Sequence, residues 1–316
     1  MKSILITGAY GFIGQCLSRQ LVTKNYELTL ASSRLLCDVG TKDNVNNICL
    51  NYDRNNSIED SVFSGVDVVV HLAGVTQTSK GKNDLTYDFN VNGTLQVANA
   101  AERQGVKLFI NLSTVQVHGN ESHMQDFTES SVLDPQNDYA RSKLEGEIAL
   151  VDVCKNSKMQ YIILRPPLVF GEGVKGNFLK LLSIIDANYP FPFANLINLR
   201  SYIYVENLCH IIEGLIHRES CENQVYLVKD SDLSTKELIF NLSHAFKKTP
   251  RLFYMPDKLL KIIAMSLNKK KDFARLCGNL VIDDSKLKND LGWVSSVDMP
   301  AAFLNTANWY LDTYSK

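Results

Sequence analysis

The chain has 316 residues, of which 45% are hydrophobic and 21% are charged, and its formal net charge is −1. This composition is typical of a folded globular protein with a large core, and the balanced charge argues against a nucleic-acid partner or an anionic membrane surface. Because the chain has no run of about 18 apolar residues and starts directly in a strand pattern, we expect a cytoplasmic protein with no membrane partner.

The first predicted elements are a strand, a glycine turn and a helix. SILITG is a short apolar run that ends in glycine, and FIGQCLSRQLV continues with apolar positions at helical spacing. Gly8, Gly11 and Gly14 lie in the turn TGAYGFIG. Because glycines lack side chains, backbone N–H groups here, among them those of Phe12 and Ile13, can approach a pyrophosphate at the helix N-terminus. The pattern predicts a dinucleotide site; a packing turn is the alternative.

The second strand, ELTLASSR, ends without the acidic residue that holds the adenosine ribose of NAD. Ser32, Ser33 and Arg34 stand there instead, and a guanidinium suits the 2′-phosphate of NADP. We therefore expect NADP(H) to be preferred, with NAD(H) possible if Arg34 is only an exposed charge. Asp53 follows the strand-like segment ICLNYD and is a candidate for the adenine amino group, or a surface aspartate.

The run GVDVVVHLAG predicts a central parallel strand that is buried on both faces. Its end, at Leu72, Ala73 and Gly74, should lie over the cofactor. His71 fits a packed strand residue better than a metal ligand, since no second histidine stands at ligand spacing, and we expect no metal site. A long helix follows and ends at Gly105, and the next strand is KLFINLSTVQVHG. This alternation predicts a doubly wound parallel sheet.

Tyr139 and Lys143 stand four residues apart in YARSK. On a helix this spacing puts both side chains on one face, where an ammonium group favours the phenolate and makes an acid/base device. The spacing alone is weak evidence, because Tyr254 and Lys258 repeat it. Pro256 lies between that second pair and argues for a helix start there.

Six motifs in order, TGAYGFIG, HLAG, NVNGT, LSTVQVHG, YARSK and RPPLVFGEG, resemble the extended short-chain dehydrogenase/reductase family in its nucleotide-sugar epimerase/dehydratase/reductase branch. The similarity runs from Lys2 to about Tyr310. It implies a catalytic trio in which Thr114 hydrogen-bonds the sugar oxygen, Tyr139 passes the proton, and Lys143 holds the nicotinamide ribose. Such proton transfer must accompany hydride transfer at a carbinol carbon.

The same resemblance implies further site residues and a division of the chain. Cofactor positions follow at Asn90, Ser113 and Pro166. Residues 1–170, with 200–228 returning, are expected to form the NAD(P)-binding Rossmann domain, and residues 171–199 and 229–316 a smaller mixed α/β substrate lobe. Positions that bind the UDP-sugar are expected at Thr76, Asn177, Arg200 and Arg275.

The resemblance leaves the reaction open. The chain lacks the lysine after HLAG and the Arg-Tyr-Phe-Asn motif of UDP-galactose epimerases, and its C-terminal half is similar to UDP-glucose 4-epimerase family proteins of bacterial polysaccharide synthesis. We therefore expect a 4-keto reductase of a UDP-2-acetamido-2,6-dideoxyhexulose. The alternatives are a 4-epimerase of UDP-glucose or UDP-N-acetylglucosamine and a non-catalytic NADP-sensing regulator. A homodimer built on residues 92–104 and 139–153 is implied.

Overall fold

The computed structural model describes residues 1–33, 44–50, 58–75, 87–122, 125–218, 222–266 and 277–315. Seven parallel strands form its larger sheet in the order β3-β2-β1-β4-β5-β6-β9. They are β1 (Lys2–Thr7), β2 (Tyr26–Ser32), β3 (Val45–Cys49), β4 (Val68–His71), β5 (Leu108–Leu112), β6 (Gln160–Arg165) and β9 (Gln224–Leu227). A second sheet has the order β10-β8-β7 and contains β7 (Leu168–Phe170), β8 (Arg200–Tyr204) and β10 (Ser231–Leu233).

The strand order of the larger sheet reverses between β1 and β4. From β1 the chain adds β2 and β3 on one side, and from β4 it adds β5, β6 and β9 on the other. Ligands of open α/β sheets bind outside the carboxyl ends of the strands at such a point. β4 and β5 are buried along their whole length, as the apolar runs predict. The predicted doubly wound Rossmann sheet and the smaller mixed sheet are confirmed.

The described helices are α1 (Phe12–Val22), α2 (Gly93–Arg103), α3 (Asp138–Cys154), α4 (Gly176–Asp186), α5 (Val205–His217), α6 (Thr235–Ala245), α7 (Asp257–Ser266), α8 (Ser285–Leu291) and α9 (Met299–Tyr314). Their starts follow from local sequence. Asn137 accepts a hydrogen bond from the Ala140 N–H before α3, and Ser234 and Glu237 form a capping box at α6. None of these helices is long and apolar enough to cross a membrane.

The helix predicted before Gly105 contains an irregular turn within its described part. Its described part begins with a π-helical turn at Asp88–Asn92, and regular helix starts only at Gly93. Gly105 follows the helix with a φ of +76°, as expected for a glycine that ends a helix. The side chain of Asn90, which lies in this turn, is hydrogen-bonded to neighbouring segments, as described below.

The chain forms two compact units, and each contains several segments of sequence. Unit 1 comprises Met1–His118, Val132–Pro166 and Cys209–Leu227, and it contains the larger sheet. Its core lies between the sheet and the helices α2 and α3, with buried side chains that include Val69, Phe109 and Leu150. Unit 2 comprises Gly119–Ser131, Pro167–Leu208 and Val228–Lys316, and its core includes stacked rings of Phe170, Phe178 and Phe303.

Candidate active site

Thr114 lies directly after β5, where the strand gives way to a 3-10 turn at Val115–Val117. Its backbone is extended, and its hydroxyl oxygen accepts a hydrogen bond from the Gln116 N–H at 3.3 Å. The neighbouring backbone is fixed to the chain after β6 by a bond from Val115 N–H to the Pro166 carbonyl, 2.9 Å long. Thr114 is thus held at the carboxyl end of a central strand, where parallel sheets place their ligands.

The start of α3 is tied to that turn. Asn137 caps the helix with its Oδ1, while its Nδ2 donates to Gln116 Oε1 at 3.1 Å. Tyr139 stands two residues into the capped end. The hydrogen bond between Asn137 and Gln116 therefore joins the segment that carries Thr114 to the helix that carries Tyr139 and Lys143.

Lys143 is buried on α3 and faces the end of β4. A Cβ atom added to Gly74 would lie 3.5 Å from Lys143 Nζ and 3.3 Å from Asn90 Oδ1, so glycine leaves the room that these side chains occupy. Burial lowers the pKa of Lys143 to about 8, against the opposing charge of Glu147.

Tyr139 differs from the sequence expectation of an easily ionised phenol. Burial of the hydroxyl raises the pKa of Tyr139 to about 12, and Lys143 does not offset this effect. The physical reason is that loss of water disfavours both charged forms, the phenolate and the ammonium. At neutral pH the structure therefore holds a protonated phenol, which can donate a proton to a substrate oxygen.

A set of four buried residues beside Lys143, here called the neutral network, consists of Thr7, His71, Thr94 and Asn90. Thr94 Oγ1 donates to the Asn90 carbonyl at 2.7 Å, so it accepts from His71 Nε2 at 3.1 Å. Thr7 then donates to His71 Nδ1 at 2.7 Å. Burial, helped by the charge of Lys143, lowers the pKa of His71 to about 3 and keeps this ring neutral.

Asn90, predicted to position the cofactor, is a clamp between backbone segments. Its Oδ1 accepts from the Val75 N–H at 2.9 Å, and its Nδ2 donates to the Val75 carbonyl at 3.1 Å and to Ser142 Oγ at 2.9 Å. A Cβ added to Gly146 would lie 2.7 Å from the Asn90 carbonyl oxygen. Asn90 therefore fixes the loop after β4 against α3, and through it the surroundings of Lys143.

A second buried set, here called the ionic network, lies at the ends of β5 and β6 and consists of Ser113, Glu147, Arg165 and His118. Arg165 donates from Nε and Nη2 to the two carboxylate oxygens of Glu147, at 3.1 and 2.6 Å. Ser113, a predicted cofactor position, donates its hydroxyl to the same carboxylate. Sequence reasoning missed Glu147, Arg165 and His118. Glu147 stands one helical turn after Lys143, and the other two belong to the recognised motifs RPPLVFGEG and LSTVQVHG.

The glycine turn fits the diphosphate of a dinucleotide. A Cβ on Gly14 would lie 2.1 Å from the Gly8 carbonyl oxygen, and one on Gly8 would lie 2.7 Å from Ala73 N, so only glycine packs at either position. Among the described residues, no side chain caps the N-terminus of α1 at Phe12 and Ile13. Its first N–H groups therefore stay available for an anion at the switch point of the sheet.

The remaining predicted positions are distributed as follows. The Leu72 N–H donates to the Thr7 carbonyl at 3.1 Å, which keeps the end of β4 beside β1. Ser33 follows β2, and Arg34, Asp53, Thr76 and Arg275 lie outside the described residues. In unit 2, Asn177 is exposed in the first turn of α4, and Arg200 donates to the Gly278 carbonyl at 2.8 Å. Within the described ranges, no group of three His, Cys, Asp or Glu residues is placed to hold a metal ion.

Comparison with known proteins identifies a matching family and similar enzymes. The family model of the NAD dependent epimerase/dehydratase family matches residues 4–228. The UDP-glucose 4-epimerase of Vibrio cholerae is 32% identical, and the match covers 100% of this chain and 97% of that protein. The N-acetyl-alpha-D-glucosaminyl-diphospho-ditrans,octacis-undecaprenol 4-epimerase of Escherichia coli O157:H7 is 28% identical over 81% of this chain and 76% of its own length.

Solved structures share the fold. The UDP-glucuronic acid 4-epimerase of Bacillus cereus, solved in complex with NAD, superposes with a TM-score of 0.82 at 18% identity, covering 99% of this chain and 97% of that one. MoeE5, solved with UDP-glucose and NAD, gives a TM-score of 0.79 at 18% identity, over 98% and 99% of the two chains. At these identities the likeness shows the fold.

Proposed function

The chain belongs to the NAD dependent epimerase/dehydratase family and is an enzyme, and from that premise we propose that it oxidises and re-reduces carbon 4 of a UDP-sugar, as a 4-epimerase. The observation that carries the proposal is the buried Lys143 one helical turn from the protonated Tyr139, joined through Asn137 and Gln116 to the turn after Thr114. The names of the two relatives described above, both 4-epimerases, support epimerisation.

In this proposal Tyr139, Thr114 and Lys143 have separate tasks. The nicotinamide of the bound cofactor supplies the hydride chemistry. Tyr139 gives a proton to the oxygen when the keto sugar is reduced and takes one when the alcohol is oxidised. Thr114 hydrogen-bonds the same oxygen, and the Lys143 ammonium binds the ribose of the cofactor.

Substrate recognition is proposed for unit 2. Arg200 lies partly exposed at the start of β8, with one guanidinium nitrogen on the Gly278 carbonyl. A guanidinium can bind a diphosphate with two parallel hydrogen bonds, which suits the UDP group. Asn177 is a second candidate contact, since its side chain is exposed at the beginning of α4.

A 4-keto reductase of a UDP-2-acetamido-2,6-dideoxyhexulose is the second candidate. The specific observation in its favour is the end of β2, where Ser32 and Ser33 stand in place of an acidic residue. That end suits NADP(H), which a reductase consumes in each cycle, whereas an epimerase retains its cofactor. Titration with NAD(H) and NADP(H) tests the preference, and an Arg34→Ala variant with unchanged NADP affinity would contradict it.

A homodimer is proposed on the outer surfaces of α2 and α3, which pack on each other. Each helix carries an exposed large apolar side chain, Leu95 on α2 and Ile148 on α3. Such side chains are better accommodated against a second copy than in water. Light scattering at micromolar concentration should give the mass of a dimer, and a strict monomer would contradict the proposal.

The reaction is tested with purified protein, UDP-sugars and UDP-4-keto-6-deoxy sugars, with and without added NADPH. Products are followed by NMR and the cofactor by absorbance of the reduced nicotinamide. Interconversion of a UDP-sugar and its 4-epimer without net cofactor change supports the epimerase. Stoichiometric NADPH consumption with the keto sugar selects the reductase instead.

The role of Tyr139 is tested with a control from the same chain. Tyr139→Phe should lower kcat roughly 10²–10⁴-fold and leave cofactor affinity nearly unchanged, because only the proton donor is lost. Tyr254→Phe changes the other Tyr-x-x-x-Lys tyrosine, which is 68% exposed, and should leave turnover at the wild-type level. Full activity of Tyr139→Phe would remove the proposed acid.

A further inference from the structure

Glu147 is the centre of a buried polar cluster that the proposed chemistry does not use. Glu147, Ser113, His118 and Arg165 are each no more than 5% exposed as whole residues. The carboxylate accepts three hydrogen bonds, two from Arg165 and one from the Ser113 hydroxyl. A carboxylate at such depth is costly unless it is paired, and here the pairing is bidentate.

His118 completes the cluster on the far side of Arg165. Arg165 Nη1 donates to His118 Nε2 at 2.9 Å, so the ring proton lies on Nδ1, which donates to the Val132 carbonyl at 3.3 Å. The guanidinium is therefore held on both sides. The two hydrogen bonds from Arg165 set the orientation of the Glu147 carboxylate.

Two cations lie near the Glu147 carboxylate. Arg165 binds it directly, and Lys143 stands one helical turn away on the same face of α3. The groups that face Lys143 from its surroundings are the neutral His71 on β4, Asn90 beside Gly74, and Tyr139 on its own helix. Glu147 is thus the group that supplies negative charge to Lys143, and its charge opposes the effect of burial on the pKa of that lysine.

We propose that Glu147 is a positioning residue of the active site, which holds Ser113 at the end of β5, next to Thr114, and stabilises the ammonium form of Lys143. The first part follows from the shared carboxylate oxygen, since Ser113 directly precedes Thr114 and its hydroxyl is committed to Glu147. The second part, the effect on Lys143, follows from the position of the Glu147 carboxylate one helical turn away on α3. The activity readouts below rest on the proposed function, and the titration readout does not.

The alternative is that Glu147 and Arg165 only stabilise the fold. To separate the two, Glu147→Gln is compared with the double variant Glu147→Gln, Arg165→Gln, and circular dichroism shows which variants are folded. The double variant removes both charges together, which avoids leaving a buried cation unpaired. Because the Glu147 carboxylate is the charge that acts on Lys143, the pKa of Lys143 should fall in the single and in the double variant.

The first readout is the titration of Lys143 by NMR of ¹³C-labelled lysine side chains, with the Lys143 signal assigned by its loss in Lys143→Met. The wild-type midpoint is expected near 8, as the pKa of Lys143 indicates. It should fall by about one pH unit when the carboxylate is removed. Glu147→Asp, which keeps the charge, should restore most of the shift.

The second readout is the pH dependence of kcat/KM, whose alkaline limb should move to lower pH with the Lys143 midpoint. A matched control removes the surface pair with Arg103→Gln and Asp60→Asn, and neither readout should change. A folded double variant with the wild-type Lys143 midpoint overturns the inference. An enzyme inactive on every UDP-sugar would instead defeat the proposed function, while the NMR titration still decides the role of Glu147.

Discussion

The neutral and ionic networks both bury polar side chains beside Lys143, the first without charged groups and the second with an ion pair. The neutral network, at the ends of β1 and β4, connects four uncharged residues by a chain of hydrogen bonds. The ionic network, at the ends of β5 and β6, buries a carboxylate and a guanidinium to a similar depth. Lys143 therefore has the uncharged network on one side and, on the other, the Glu147 carboxylate, whose charge favours the ammonium form.

The two histidines carry this contrast in their tautomers. His71 holds its proton on Nε2, because Thr94 donates onward and Thr7 must donate to Nδ1. His118 holds its proton on Nδ1, because Nε2 accepts from Arg165. The hydrogen-bond partners fix the tautomer of each ring, in an uncharged network for His71 and in a charged one for His118.

The largest expected effect comes from breaking the ionic network on one side. Arg165→Met leaves Glu147 buried without its bidentate partner, and the free energy of unfolding should fall by about 3–5 kcal/mol. Urea denaturation followed by circular dichroism measures it. Arg103→Met is the matched control, since it breaks an Arg–Asp pair that is half exposed, and its urea midpoint should not differ from wild type. Equal losses in the two variants would remove the distinction between buried and exposed pairs.

The neutral network should make stability depend on pH in acid. The pKa of His71 is about 3 in the folded protein and near 6.5 in the unfolded chain, so the unfolded state takes up a proton that the folded state refuses. Stability is therefore fully present above about 6.5 and is lost as pH falls toward 3, at a limiting slope of about 1.4 kcal/mol per pH unit.

The measurement is urea denaturation at several pH values between these limits. His71→Gln keeps a donor and an acceptor in the network but cannot titrate, so its pH dependence should be flatter than that of the wild type. Parallel curves for the two proteins would show that other groups cause the acid sensitivity.

The smallest effect is expected from crowding Asn90. Gly146→Ala puts a Cβ 2.7 Å from the Asn90 carbonyl oxygen, and the required shift of α3 should cost about 1–3 kcal/mol. Gly214→Ala is the control, because it lies exposed in α5 with no atom within 4 Å of the added Cβ. That variant should be neutral or stabilised by about 0.5–1 kcal/mol. A loss in both would point to the helices generally rather than to the contact with Asn90.

The sequence was informative where local chemistry decides structure. The glycine turn, the apolar runs of β4 and β5 and the alternation of strands and helices predicted the Rossmann sheet, because each depends on neighbours in the chain. The pKa of Tyr139 was not predictable, since spacing indicates a nearby lysine but does not report burial. Glu147 and Arg165 were missed for a related reason: their pairing joins α3 to β6, and only the fold brings them together.

The segmented build of unit 1 has a consequence during synthesis on the ribosome. β5 is complete at Leu112, whereas its sheet partner β6 starts at Gln160 and the last strand β9 at Gln224. At typical elongation rates β6 follows β5 after on the order of 3–10 s. Until β6 is available to pair, β5, with its sequence LFINL, has an unpaired edge. During this interval the growing chain can therefore pair with another chain along that edge.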